Sequence, residues 1–366
     1  MAHINSFDTL CSVDTKHLPL SQAFTLRSEW YTEQYVFDEE IKQIFSSKWV
    51  FLCLEQKIPS VGSYTVLQYL HHPVIAVRDR NKAIKVYYNV CRHRGGPLAY
   101  HDGIATTNVL QCQYHGWTYL LDGSLRGVPQ FDKVDLFDKK DFGLIEIPSI
   151  VVNSMVFLCF GEPTEDIPTI VSTVNQKLPP NYFSTKKYHT TVEYIVDANW
   201  KVYADNYLEG YHIPLVHPTL NTMLSYRNYK VETTNEFVLQ YSPITSSEEN
   251  ELALYYFMYP SMMLNILPGR LQTNVIIPIS TQQCKVIFDY YYDEDVFIHS
   301  PSQIVEDIRF SDDVQKEDAT ICKAVFQGLS SIAYTSGRFS VDTEAGVYAF
   351  QQWYRQQMCN SSNSQF

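Results

Sequence analysis

The sequence predicts an α+β protein of two modules, and three features of its patterning carry that expectation. Between about Phe51 and Phe160 short β-type runs follow one another (YTVLQYL, PVIAV, IKVYYNV, WTYLL, MVFLCF), the texture of a small antiparallel module. Beyond residue 187 a second set begins: EFVLQY, LALYYFMYP, MMLNILP, TNVIIPI and CKVIFDYYY. The third feature is a helical periodicity across roughly Ser302 to Leu329, which could break near Ser311.

A length of 366 residues accommodates two modules with a substantial core. The net charge of −12, with 19% charged residues, speaks against a nucleic-acid groove or a polybasic membrane patch, so neither partner is expected. No apolar run approaches the ~20 residues of a transmembrane helix. Met1 to Thr15 shows neither a secretory nor a transit pattern, which leads to the expectation of a soluble, cytoplasmic protein. In a reducing compartment the placement of Cys91 and Cys112, each near a histidine, suggests metal binding rather than disulfides.

Taken in order, residues 1 to about 35 are poorly patterned. The segment DEEIKQIFSSKW from Asp38 reads as a helix capped by Asp38, with Ile41, Ile44, Phe45 and Trp49 as one stripe. In the β module, Asp122–Gly123 marks a hairpin between WTYLL and SLRGV. The same module holds the most specific motif of the chain. Cys91-x-His93 is followed, after eighteen residues, by Cys112-x-x-His115. Two thiolates and two imidazoles, one of each per loop, form the ligand set of a Rieske [2Fe–2S] cluster. Structural zinc is the alternative, but zinc fingers usually keep Cys with Cys and His with His.

Residues 161 to about 187 are proline-rich and polar and read as a linker. A strand, YHTTVEYIV, then leads into a helix on which Trp200, Tyr203, Tyr207 and Tyr211 recur at helical spacing. Glu209 and His212, three apart, are expected on one face, and Pro214 is expected to break the helix so that His217 swings back toward His212. Two imidazoles there would supply two corners of a non-haem Fe(II) site that needs a carboxylate as its third. They could equally be satisfied polar groups in an aromatic core. On a helical wheel the late helix places Val314, Ile321, Cys322, Val325 and Leu329 on an apolar side. Asp318 falls near the middle of that side, Glu317 lies a quarter turn off it, and Asp312 and Asp313 lie well away. A buried carboxylate needs a metal or an ionic partner, which makes Asp318 the candidate third ligand and leaves an arginine pair as the alternative. The organisation expected is an N-terminal segment (1–44) packing on the catalytic module, a cluster module (45–162), a catalytic module (163–358) and a flexible tail (359–366).

A Rieske motif, then E-x-x-H-x4-H, then an acidic helix: this order resembles the catalytic α subunit of Rieske non-haem iron oxygenases. The stretches NWKVYADNYLEGYHIPLVHP, YPSMMLNILP, CKVIFDYYYDE and DDVQKEDATICKAVFQGLSSIAYTSGRF look most like choline monooxygenases and the oxygenases that attack carnitine and glycine betaine. The resemblance implies an antiparallel β Rieske domain plus a helix-grip catalytic domain, an antiparallel sheet around a long helix. It implies Asp318 as the carboxylate ligand. Glu209 occupies the position where ring-hydroxylating members have an Asp linking the two metal sites, and it would join His212 to His93 or His115 of a neighbouring subunit. A homotrimer, O2, and a separate flavin/iron–sulfur reductase drawing on NAD(P)H are implied in the same way. The substrate implied is a small quaternary ammonium compound, hydroxylated or dealkylated; an aromatic ring is the alternative. A permanent cation calls for aromatic faces, for which Tyr203, Tyr207, Phe257, Tyr259 and Trp353 are candidates.

Overall fold

A computed structural model describes residues 6–14, 18–163, 166–224, 226–245 and 251–360. Two compact units emerge, Trp49–Ser184 and Met1–Lys48 together with Thr185–Phe366.

The Trp49–Ser184 unit contains three small antiparallel sheets. One joins Val50–Leu54, Met155–Leu158 and Ser149–Val152; a second joins Ile84–Tyr88, His72–Arg78, Ser63–Tyr69 and Gly103–Ile104; the third is Val109–Gln111, Thr118–Leu120 and Leu125–Gly127. The turn expected at Asp122–Gly123 connects the last two of these strands. Gly123 has φ +82°, and a Cβ there would meet the Tyr87 ring at 2.7 Å, so only glycine fits. Trp117, Tyr119, Tyr87 and Leu110 fill the core beneath. The stretch read as a linker is partly helical. Ile167–Asn175 forms a helix capped by Asp166, with Pro168 in its first turn, where a missing N–H costs nothing. Ile167, Val171 and Val174 bury one face. Pro168, one of the prolines that suggested a linker, marks where a helix starts.

In the other unit a seven-stranded antiparallel sheet runs in the order Lys187–Val196, Cys284–Tyr292, Arg270–Pro278, Met262–Leu267, Leu252–Met258, Phe237–Pro243, Lys230–Thr233. The Pro301–Leu329 helix packs on the Trp200–Tyr207 helix and is unbroken at Ser311, whose hydroxyl donates to Gln272 Oε1 at 3.2 Å. Its inner side is less apolar than the wheel suggested. Gln315 and Cys322 are buried, whereas Val325 is 45% exposed. The sheet face opposite carries Gln272 and Asn274, both buried, so polar residues of the helix turn toward it.

The N-terminal segment is helical over Phe7–Asp14, Glu29–Thr32 and Gln34–Glu40, followed by a π turn at Ile41–Phe45. The helix expected from Asp38 thus starts earlier. Asp38 sits inside it and accepts from Gln34 Nε2 at 2.9 Å. This segment is bonded into the catalytic unit: Tyr31 OH donates to Asp205 at 2.6 Å and Asn199 Nδ2 to Tyr31 O at 2.9 Å. Glu40 is fully buried, accepts from Trp200 Nε1 at 2.8 Å and from Tyr354 OH, and pairs with the equally buried Lys201. The expected tail is corrected at its start, because the Ala345–Asn360 helix contains Cys359, buried and joined in a disulfide to Cys11 with Cα atoms 5.5 Å apart. A separation of 348 residues leaves no local trace of that pairing in the sequence. Residues 361–366 lie outside the described residues. No helix among the described residues is long and apolar enough to cross a membrane.

Glu40→Ala would leave the Lys201 ammonium buried and unpaired, a loss of about 3–5 kcal/mol. Denaturant unfolding followed by tryptophan fluorescence should show a lower midpoint for that variant than for Glu40→Gln, which keeps the hydrogen-bond acceptor.

Candidate metal centres

The two Cys–His loops are built alike. Cys91 N donates to Gly96 O at 2.8 Å and Gly95 N to Cys91 O at 2.9 Å; Cys112 N donates to Trp117 O at 2.8 Å and Gly116 N to Cys112 O at 3.1 Å. Gly95 and Gly116 both have φ +74°, a left-handed conformation that lets each loop curl around its thiol. A Cβ on Gly96 would come within 3.1 Å of Cys112 Sγ. His93 and His115 lie with ring centroids 4.7 Å apart, and His93 stacks on Trp117 at 4.9 Å. His93 Nδ1 is buried with no hydrogen-bond partner among the described residues, which is what a ligand nitrogen lacks without its metal. Burial, then the neighbouring His115 and Arg94, hold the His93 imidazole below its ordinary range and therefore neutral. Burial pushes the Cys91 thiol up, against the opposing contact from Tyr119 OH at 3.2 Å; a bound metal would supply the charge that deprotonates it. Among the described residues only His212, His217 and Asp318 bring three ligand atoms within 4.8 Å of one another. The Cys–His set does not converge on one point as tetrahedral zinc requires; a two-iron cluster demands no such convergence. The residues fit a [2Fe–2S] cluster.

The second centre forms where the Trp200–Tyr207 helix ends. Glu209 and His212 are not on a continuous helix. The chain turns after Leu208, and Glu209 caps the turn by accepting from Tyr211 N and from His212 N, the latter at 3.1 Å. Pro214 lies in the first turn of the short Ile213–Val216 helix instead of breaking a longer one, and that helix delivers His217. His212 Nδ1 donates to Glu209 Oε1 and His217 Nδ1 to Glu317 Oε2, each at 2.7 Å. Since a carboxylate only accepts, Nδ1 carries a proton in each ring and Nε2 is the nitrogen left to face Asp318; His217 Nε2 donates to Asp318 Oδ1 until a metal replaces its proton. Both Nε2 atoms point at Asp318 Oδ1, 3.6 Å from His212 and 2.9 Å from His217. Burial would lower the His217 pKa, but Asp318 and Glu317 outweigh it and raise it. Asn206 Nδ2 donates to Asp318 Oδ1 at 2.7 Å and orients it. With a metal in place of the Nε2 protons, two imidazoles and one carboxylate suit non-haem Fe(II). The wheel set Glu317 aside as off-axis, and nothing in the sequence pointed to Asn206; their part follows from the path of the turn.

A cavity opens on these ligands. Tyr203 and Tyr207 line it, together with Tyr229, Tyr255 and Phe288, which sequence patterning did not single out. Phe257, Tyr259 and Trp353 do not. They pack against the C-terminal helix instead: Tyr259 stacks on Trp353 at 4.7 Å, and Phe257 meets Phe350 edge-on at 5.5 Å. That helix was not foreseen, and its aromatic face needs those partners.

Residues 48–138 match the Rieske [2Fe-2S] domain family, and residues 183–360 match the ring hydroxylating alpha subunit catalytic domain. The chloroplastic choline monooxygenase of Arabidopsis thaliana is 30% identical over 343 residues, 88% of this chain and 81% of that protein. The chain belongs to the Rieske non-haem iron oxygenases. Within that family, the choline monooxygenase of Amaranthus tricolor is 29% identical over 93% of this chain and 79% of its own. The carnitine monooxygenase oxygenase subunit of Escherichia coli is 26% identical over 88% and 89%. The fold of this Rieske oxygenase matches the solved structure of a quaternary ammonium Rieske monooxygenase with TM-score 0.86 at 24% identity, covering 94% of this chain and 100% of that one. Naphthalene 1,2-dioxygenase from Rhodococcus matches with TM-score 0.75 at 18% identity, over 92% and 95%. As a Rieske oxygenase it is an enzyme whose cofactors are a [2Fe–2S] cluster and a non-haem iron.

His217→Ala is expected to lower the iron content from about three to about two per chain while leaving the cluster's visible absorption intact. Iron analysis paired with an absorption spectrum checks this.

Proposed function

We propose that this Rieske oxygenase is an O2-dependent monooxygenase of a small quaternary ammonium compound, with Cys91, His93, Cys112 and His115 holding the cluster and His212, His217 and Asp318 holding the iron. The observation that carries the reading is the cavity over the His–His–Asp set, walled by tyrosines and containing Asp318 and Glu209 but, among the described residues, no lysine or arginine. Aromatic faces attract a cation, each ring by about 0.5–2 kcal/mol, and a wall without lysine or arginine does not repel it. The relatives named for choline and carnitine support the same substrate class. A ring substrate has no comparable support, since the dioxygenase likeness extends to the fold alone.

When bound, the iron supplies O2 activation and the cluster supplies electrons one at a time. The chain's own residues do the rest. Glu209 and Glu317 keep both imidazoles in the metal-binding tautomer, Asn206 holds the Asp318 carboxylate in place, and the tyrosines position the substrate's C–H bond. Hydroxylation of a carbon beside the quaternary nitrogen gives a carbinolamine that collapses to aldehyde and amine; at an alcohol carbon it gives an aldehyde hydrate. The reading includes a flavin/iron–sulfur reductase supplied by NAD(P)H and a ring-shaped homotrimer in which Glu209 connects His212 to a cluster histidine of the next subunit. Its support is the family pattern and the position of Glu209 against His212.

A single turnover tests the substrate class. Iron-replete, chemically reduced protein is exposed to O2 with choline, carnitine, glycine betaine or benzoate, and products are read by mass spectrometry. Oxygenation of at least one quaternary amine and none of benzoate is expected. Product from benzoate alone would replace this reading with ring hydroxylation.

A further inference from the structure

Gln315 lies one turn before Asp318 on the Pro301–Leu329 helix, so the two side chains share a face and both line the cavity. It is 2% exposed. Its Oε1 accepts a hydrogen bond from Tyr203 OH at 2.6 Å, while its Nε2 has no partner among the described residues. Burial, reinforced by the Asp318 charge, pushes the Tyr203 phenol well above 10, so Tyr203 remains a donor. With no other acceptor recorded for that hydroxyl, it holds the Gln315 oxygen toward itself and turns the NH2 group away. A buried amide N–H without an acceptor is costly, and an acceptor brought by a ligand would relieve the cost.

The rest of the wall decides which acceptor. Among the described residues the cavity contains no lysine or arginine, while Asp318 and Glu209 bring negative charge. Apart from the ligand imidazoles of His212 and His217, its remaining polar groups are neutral amides and hydroxyls, including Asn265 and Gln272, and several are already paired: Tyr207 OH donates to Asn265 Oδ1 at 2.7 Å, and Gln272 Nε2 to Asn274 Oδ1 at 2.9 Å. With the iron's charge matched by Asp318 and Glu209, a substrate carboxylate would be buried here without a counter-ion among the described residues. Arg270 lines a neighbouring cavity that shares Leu220, Leu224 and Tyr255 with this one, but it pairs with Asp307 at 3.4 Å. A hydroxyl oxygen, by contrast, needs a single neutral donor.

We infer that Gln315 Nε2 is the anchor for a neutral hydroxyl of the substrate, so that the site takes a quaternary ammonium alcohol in preference to a quaternary ammonium carboxylate. The inference rests on the quaternary ammonium reading above and names its substrate subclass. The hydroxyl end is pinned one helical turn from Asp318, and the ammonium end is left to Tyr207, Tyr229 and Tyr255.

Calorimetric titration of the iron-loaded protein with choline, propyltrimethylammonium (a methyl group in place of the hydroxyl) and glycine betaine tests it. The wild type should bind choline about tenfold more tightly than propyltrimethylammonium, one hydrogen bond's worth, and glycine betaine more weakly than either. Gln315→Met should bring the first ratio close to one by weakening choline alone. Gln315→Asn, which keeps the amide but withdraws it, should give a smaller loss and serves if the methionine variant does not fold. A choline preference that survives both variants, or a wild-type preference for glycine betaine, overturns the inference and leaves the quaternary ammonium reading standing. Failure of all three ligands to bind overturns both.

Discussion

Asp318 is the constraint on which the catalytic unit turns. Its carboxylate faces two imidazole nitrogens and an asparagine amide, in a cavity whose described walls carry no lysine or arginine. Such an arrangement is expensive unless a cation joins it. A divalent metal relieves that cost, and the outward nitrogens of both histidines are already committed to Glu209 and Glu317, which leaves the inward nitrogens for the metal. The aromatic walls, free of lysine and arginine among the described residues, suit a cationic substrate.

Holding that carboxylate in register is the work of the fold. The Pro301–Leu329 helix spans 29 residues and presents Ser311, Gln315 and Asp318 to a polar face of the seven-stranded sheet. Behind the site the Trp200–Tyr207 helix is clamped from two sides. The N-terminal segment supplies Glu40 to Lys201 and Trp200, and Tyr31 to Asp205; the C-terminal helix supplies Tyr354 to Glu40 and Gln351 to Asp205. Asp205 is partly buried, and burial pushes its carboxyl up to about 7, eased by the hydrogen bonds from Tyr31 and Gln351. It belongs to the brace behind the helix, while Asn206, the next residue, turns to Asp318.

Much of this was legible in the sequence because it is local. Strand alternation, the Asp122–Gly123 turn and the paired Cys-x-His and Cys-x-x-His loops are written within a few residues of each other. Asp318 was legible because helical geometry places a carboxylate among apolar neighbours, even though Val325 in that set proved to be exposed. What was hidden depends on distant segments. The C-terminal helix claims Phe257, Tyr259 and Trp353 for packing, and the Cys11–Cys359 disulfide joins opposite ends of the chain. The turn that carries Glu209 and His212 was read as a helix because three-residue spacing is common to both, and only the capping role of the glutamate separates them. Pro168 in the Ile167–Asn175 helix misled in the same direction, since proline marks a helix start as readily as a loop.

Anomalous diffraction from crystals of the iron-loaded protein, recorded on either side of the iron absorption edge, addresses the central claim most directly. Two iron positions are expected, a pair of atoms among Cys91, His93, Cys112 and His115 and a single atom among His212, His217 and Asp318. A signal at the zinc edge from the Cys–His loops, or iron absent from the His–His–Asp set in fully loaded protein, would contradict the account.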